Sequence, residues 1–153
     1  MIQIESKRDC PSEPRIRALI AARAGDAAAA RALLASLGSG AGRTGSWEWD
    51  GDVRPIIADT YFELGDYPKV IEVLKDFAPP SFSSRGFDSR WVLLPRVRLL
   101  RGQALERTGQ FAAAAGECRA VIDRWAGADV ELLTVVQQAR QRLAAVTGTA
   151  EGR

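Results

Sequence analysis

The chain reads as all-α: three helical hairpins in succession, followed by one closing helix. Three observations predict this. Apolar residues recur at three- and four-residue spacing through each segment, the period of a helix with one buried face. Glycines at 25, 65 and 109 interrupt those segments at comparable places, 40 and 44 residues apart. Between the hairpins lie two stretches rich in glycine, serine and proline, which end one pattern before the next begins.

Residues 1–12 form an N-terminal extension in which Ile2 and Ile4 alternate as in a short extended piece. Pro11, Ser12 and Pro14 then signal a helix start, because proline is tolerated in a first turn. The first hairpin covers residues 13–37. Ile16, Leu19, Ile20 and Ala24 mark the apolar positions of its first helix, and Asp26 is placed to cap the alanine-rich second. The loop GSGAGRTGSWEWDG follows. The second hairpin, 52–78, opens on Asp52 as N-cap and carries Val53, Ile56, Ile57, Thr60, Tyr61 and Leu64. Gly65-Asp66 turns the chain into Val70, Ile71, Val73, Leu74 and Phe77, and Pro79-Pro80 ends the run.

After the loop SFSSRGFDS, Asp88 or Ser89 opens the third hairpin, 89–126. Pro95 falls inside its first helix. Either that helix bends there, or Trp91–Leu94 forms a separate turn before a helix starting at Pro95. Thr108-Gly109-Gln110 makes the turn, and Phe111, Ala114, Cys118 and Val121 lie along the returning helix. Asp129 caps a closing helix over 129–146, with Leu132, Leu133, Val136, Ala139, Leu143 and Val146 as its apolar stripe. Its other face carries Gln137, Gln138, Arg140, Gln141 and Arg142, and residues 147–153 read as a disordered tail.

Composition removes whole classes of function. There is no histidine, which excludes imidazole acid–base chemistry, Ser-His triads and histidine-bearing metal sites. Cys10 and Cys118 are far apart and no CxxC pair exists, so no zinc site is expected. GSGAGRTGS resembles a phosphate loop only superficially, because it lacks the GK[ST] ending and a preceding strand. No cofactor and no catalytic constellation is expected; the i, i+4 carboxylates Asp59 and Glu63 are ordinary helix-face spacing. No apolar run reaches membrane-span length, and two lone cysteines without an export signal fit a cytoplasmic protein. A net charge of +2 does not by itself argue for nucleic acid. Arg90, Arg96, Arg98, Arg101 and Arg107 concentrate cations on one helix, but Glu106, Glu117 and Asp123 dilute them.

Aligning the segments on their turn glycines produces matched columns. Ala18, Ala58 and Gly102 fall together, as do Ala21, Tyr61 and Leu105, then Ala27, Tyr67 and Phe111, then Ala30, Val70 and Ala114. Small residues in the first column let paired helices approach closely. With the stretch RGQALERTGQFAAAAGECRAVI at its clearest, residues 12–146 resemble a tetratricopeptide repeat array. The two loops accommodate the excess over that repeat's period of about 34 residues. The ending DRWAGADVELLTVVQQARQRLAAV is similar to degenerate tetratricopeptide regions of bacterial multidomain regulators and serine/threonine kinases. The chain departs from the family where a tryptophan and a leucine are usual: Pro14, Arg54 and Arg98, then Arg17, Ile57 and Arg101. Arg98 and Arg101 thus fall on a normally inward face, so the unit is rotated or the guanidiniums snorkel past apolar surface.

The resemblance implies a solenoid of three hairpins with a capping helix, working as a non-catalytic protein–protein interaction scaffold. It places the partner in a concave groove lined by first helices, which here means Arg15, Leu19, Arg23, Asp59, Phe62, Glu63, Arg96, Leu99, Gln103 and Arg107. Such an arginine-flanked groove suits an extended peptide with acidic groups or a terminal carboxylate. The alternative is a structural module that self-associates into a homo-oligomer through its helical edge; a nucleic-acid-binding helical repeat is the least favoured reading. Trp47 and Trp49 would be a binding hot spot if exposed, but packing under their loop is the preferred reading. Trp91, Trp125 and the Cys118 thiol are expected in the core.

Overall fold

The structure is a computed structural model that describes residues 13–37, 53–77, 90–127 and 130–151. Among these residues there are seven helices and no strand, so the protein is all-α. They are α1 (Glu13–Arg23), α2 (Ala27–Ser36), α3 (Arg54–Glu63), α4 (Tyr67–Leu74), α5 (Arg90–Arg107), α6 (Phe111–Trp125) and α7 (Val130–Glu151). The two glycine- and proline-rich loops lie outside the described residues, as do Cys10, Trp47, Trp49, Asp52, Pro79-Pro80 and Asp129.

The three glycine turns are built alike to within about a tenth of an ångström. Gly25 N–H donates to the Ala22 carbonyl, Gly65 N–H to Phe62 and Gly109 N–H to Glu106, each at 3.0 Å. The next amide reaches five residues back: Asp26 to Ala21 (2.9 Å), Asp66 to Tyr61 (2.9 Å) and Gln110 to Leu105 (2.8 Å). This pair of bonds is the Schellman ending, which requires a left-handed residue at the glycine position. The φ values are +82°, +73° and +76°. Asp26 and Asp66 serve both helices at once, since each side chain also accepts the amide three residues on, from Ala29 (3.0 Å) and Lys69 (3.4 Å). One helix therefore ends and the next begins within three residues.

No atom lies within 4 Å of where a Cβ on Gly65 would stand, so the constraint there is conformational rather than steric. Gly65→Ala is expected to cost about 1 kcal/mol through the left-handed backbone alone. Gly65→Asn should cost less, since asparagine tolerates that region. Urea midpoints of the two variants, with unchanged slope, check this.

Two of the four matched columns are buried throughout, whereas Ala27 in the third is exposed. Ala18, Ala58 and Gly102 are buried, as are Ala30, Val70 and Ala114. Within each hairpin the helices pack as α1 on α2, α3 on α4 and α5 on α6. Between hairpins, α3 lies against α1, α5 against α3 and α4, and α7 against α5 and α6. The apolar clusters follow the same junctions. Ala18 and Leu34 meet Val53 and Ile57; Ala58, Val70, Leu74 and Phe77 meet Leu94, Val97 and Ala104; Leu99, Cys118 and Val121 meet Ala139. Burying these seams supplies the main drive to fold.

Five sequence expectations are settled or changed. Helix α5 is continuous from Arg90 through Pro95, so Trp91–Leu94 is not a separate turn; the Pro95 ring is fully buried, and apolar burial offsets the one hydrogen bond that it forfeits. Helix α4 stops at Leu74, and Phe77 packs beyond it, under the Arg54 guanidinium at 5.0 Å. Residues 147–151 continue α7 instead of forming a disordered tail, and Thr147 Oγ1 donates back to the Leu143 carbonyl at 2.9 Å. Finally, α1 buries Arg15, Ala18 and Ala22 and turns Ile16 and Ile20 outward, reversing part of its expected apolar stripe. Trp91 and Trp125 are half-buried rather than enclosed, with Arg124 stacked on Trp91 at 5.5 Å.

Candidate functional site

The ten residues predicted to line a groove divide by what they touch. Two are removed from it by burial. Leu99 sits in the seam with Cys118, Val121 and Ala139, because its helix is covered by both α6 and α7. Arg15 is also buried, on the side of α1 opposite Ile16 and Ile20. Neither presents a side chain to a ligand.

Most of the remaining charged residues are paired with one another across neighbouring helices. Arg23 Nε on α1 donates to Glu63 Oε1 on α3 at 3.3 Å. Asp59 on α3 accepts from Arg96 Nη2 on α5. Glu106 on α5 accepts from Arg142 Nη1 on α7 at 3.0 Å. One ion pair thus joins each successive couple among α1, α3, α5 and α7. Pairs this exposed add little stability, roughly 0–1 kcal/mol each. Their consequence is electrostatic, because Arg23 and Arg96 of the arginine-flanked groove already have counterions.

Asp59 is the least exposed member of that series. Burial raises its carboxyl above the ordinary value of 3.8, and the nearby Arg96 and Arg23 pull it back only partly. A carboxyl raised on folding contributes stability that is fully present below its unfolded value and is lost as pH rises through the folded one. Asp59→Asn should therefore gain melting temperature relative to the parent as pH rises from about 3 towards 7. Thermal melts across that range test the sign; a relative loss would show that the Arg96 pair outweighs the cost of burial.

Phe62 packs edge-on to Tyr67, ring centroids 5.3 Å apart and planes at 69°, and the Arg107 guanidinium covers the other ring at 5.7 Å. Leu19 and Gln103 are half-buried. Gln103 opens onto an open recess of about 450 Å³ between α5 and α7, lined also by Glu106, Gln138, Gln141, Arg142 and Ala145. Gln138 and Gln141 of α7 belong to this recess, a placement beyond the polar face that the sequence implies. Their spacing, Gln138 and Gln141 at i, i+3, was the available signal.

No protein-family model, curated protein or solved structure matches this chain.

Away from that face, Arg98 and Arg101 are both held by Glu117 of α6, itself a buried residue. Arg98 Nη1 donates to Glu117 Oε2 at 3.2 Å, and Arg101 Nη2 donates to Oε1. Arg101 Nη1 also donates to the carbonyls of Leu74 (3.0 Å), which accepts from Phe77 N–H as well (3.1 Å), and Lys75 (3.2 Å) at the end of α4. One arginine therefore ties the second hairpin to the third. A Cβ at Gly102 would meet Glu117 Cβ at 3.4 Å and Ala114 O at 3.7 Å, ordinary contact distances, so α5 and α6 lie close there without strictly requiring glycine.

Chemistry is correspondingly sparse. No group of three or more potential metal-binding side chains occurs among the described residues. Burial pushes the Cys118 thiol up, with Glu106 and Glu117 in the same direction against Arg142, so it is held as a neutral thiol. Among the described residues no helix is long and apolar enough to cross a membrane.

Proposed function

We propose that the chain is a non-catalytic protein–protein interaction scaffold: a tetratricopeptide-like right-handed stack of three hairpins, closed by α7. It takes an extended peptide along the side formed by α1, α3, α5 and α7. The observation carrying this reading is the series Arg23–Glu63, Asp59–Arg96 and Glu106–Arg142, which couples those four helices in turn. Helices so coupled offer a preorganised surface, and preorganisation lowers the entropic cost of capture.

The ligand chemistry follows from what the ion pairs leave over. Gln103, Gln138 and Gln141 converge on the recess with amide groups that both donate and accept, which suits peptide backbone. Arg107 adds a cation for an acidic side chain or terminal carboxylate. The residues retained from the sequence reading are Leu19, Arg23, Asp59, Phe62, Glu63, Arg96, Gln103 and Arg107. Nucleic acid is disfavoured because Arg96, Arg98 and Arg101 are engaged by carboxylates.

Selection from a random peptide-display library tests this. Enriched peptides should lose at least about tenfold in affinity on Gln141→Ala or Arg107→Glu, while the circular dichroism melt stays unchanged. If no peptide is enriched, or enriched peptides bind both variants as well as the parent, the groove reading fails.

A further inference from the structure

The recess between α5 and α7 combines opposite charges with neutral amides. Helix α5 contributes Gln103 and Glu106, three residues apart and so on one side. Helix α7 contributes Gln138, Gln141, Arg142 and Ala145, at the i, i+3, i+4, i+7 spacing of a single face. The lining therefore holds one acid, one base, three carboxamides and a methyl group. Acid and base are joined by one bond, from Arg142 Nη1 to Glu106 Oε2 at 3.0 Å. A carboxylate accepts through both oxygens, and a guanidinium donates through all three nitrogens. Glu106 Oε1 and Arg142 Nε and Nη2 are thus left side by side with no hydrogen bond to a described residue. The same holds for the side-chain amides of Gln103, Gln138 and Gln141.

We infer that this recess is a specificity site for a primary carboxamide, the side chain of a glutamine or asparagine in the bound peptide. That a peptide carries the amide rests on the scaffold reading above. Charge selects against the alternatives. The lining sums to zero, so a carboxylate meets Glu106 as well as Arg142, and an ammonium meets Arg142 as well as Glu106. A primary carboxamide has a carbonyl acceptor and two N–H donors on one planar group. One of those N–H bonds lies on the same side as the carbonyl, so the group can accept from Arg142 while donating to Glu106 Oε1. The three glutamine amides can complete its remaining bonds. A trans peptide unit points its N–H and C=O in opposite directions, so one backbone amide reaches only one member of the pair. An apolar side chain leaves both members unmet.

The probes are blocked tripeptides: acetyl-alanyl-glutaminyl-alanine N-methylamide and its glutamate and lysine counterparts. The N-methyl cap removes any second primary amide. Each is titrated into the isotope-labelled full chain and followed by NMR through the side-chain amide signals of Gln103, Gln138 and Gln141. The glutamine probe should move those signals and bind at least about fivefold more tightly than either charged probe. Glu106→Gln leaves Arg142 as the one charge in the lining and should reverse the order, favouring the glutamate probe by a comparable factor. Arg142→Gln should likewise favour the lysine probe. Both changes cut a partly exposed pair, so the melting temperature should hold. A merely structural role for the pair would not reorder the probes. Equal binding of the three probes by the parent, no shift at those amides, or an unchanged order in Glu106→Gln overturns the inference. A tripeptide is too short to span four helices, so this result is separate from peptide display. Enriched peptides with no glutamine or asparagine in common would leave the scaffold reading standing and overturn this one. Selective tripeptide binding with no peptide enriched would support the amide site and sink the scaffold reading.

Discussion

Glu117→Ala is expected to lower stability by about 3 kcal/mol, the low end of what removing one member of a buried charge cluster costs. The carboxylate is 11% exposed and is the common acceptor for two guanidiniums that are themselves 25% and 20% exposed. Without it, Arg98 and Arg101 face each other with no counterion and little water, while the cavity left beside Gly102 adds a smaller term. The guanidiniums keep some solvent access, which is why the low end applies. For a chain of this size the melting temperature should fall by roughly 6–12 °C. Glu117→Gln, which keeps the shape and an acceptor but not the charge, should fall between the two. A melt within about 1 °C of the parent for Glu117→Ala would show that the cluster contributes nothing net.

Leu74→Ala carries the other large effect, about 2–5 kcal/mol, the range for truncating a fully buried leucine. Its side chain is fully buried with Val70, Leu94 and Val97 at the junction of the second and third hairpins. Its carbonyl accepts from Arg101, whose other nitrogen is held by Glu117. Leu74→Ala and Glu117→Ala thus weaken one junction from two sides. Their double variant should lose less than the sum of the single losses, because the first change already loosens what the second would release. Denaturant titration of the four proteins measures that coupling. Strict additivity would mean that Arg101 transmits nothing between the hairpins.

The hairpins were readable because their determinants are local. A glycine that must be left-handed, an aspartate that accepts an amide three residues on and a proline near a helix start act within a few residues of themselves. Helical periodicity likewise reports which side of a segment is apolar. Periodicity failed at α1, where Ile16 and Ile20 are exposed and Arg15 is buried, because it cannot say whether a neighbour exists to cover that side. Nor does it report that Leu99, whose place in the pattern implies groove surface, is closed over by α6 and α7.

Charge was the least legible feature. Arg96, Arg98 and Arg101 look alike in sequence, on one helix, and each has a different fate: paired at the surface with Asp59, half-enclosed on Glu117, or bridging Glu117 and the end of α4. The partners lie 16 to 37 residues away along the chain. Their pairing depends on which helices pack together, and no local pattern encodes that.

By itself the sequence determined that this protein is helical, where each hairpin turns, which small residues lie at the seams, and that histidine chemistry is absent. Tertiary structure alone decided which arginines are neutralised, that Glu117 is their buried counterion, and that α1 keeps an apolar edge in solvent. The division has a physical basis. Backbone conformation and helix period are set by interactions over a few residues, whereas burial and charge pairing are set by which distant surfaces meet.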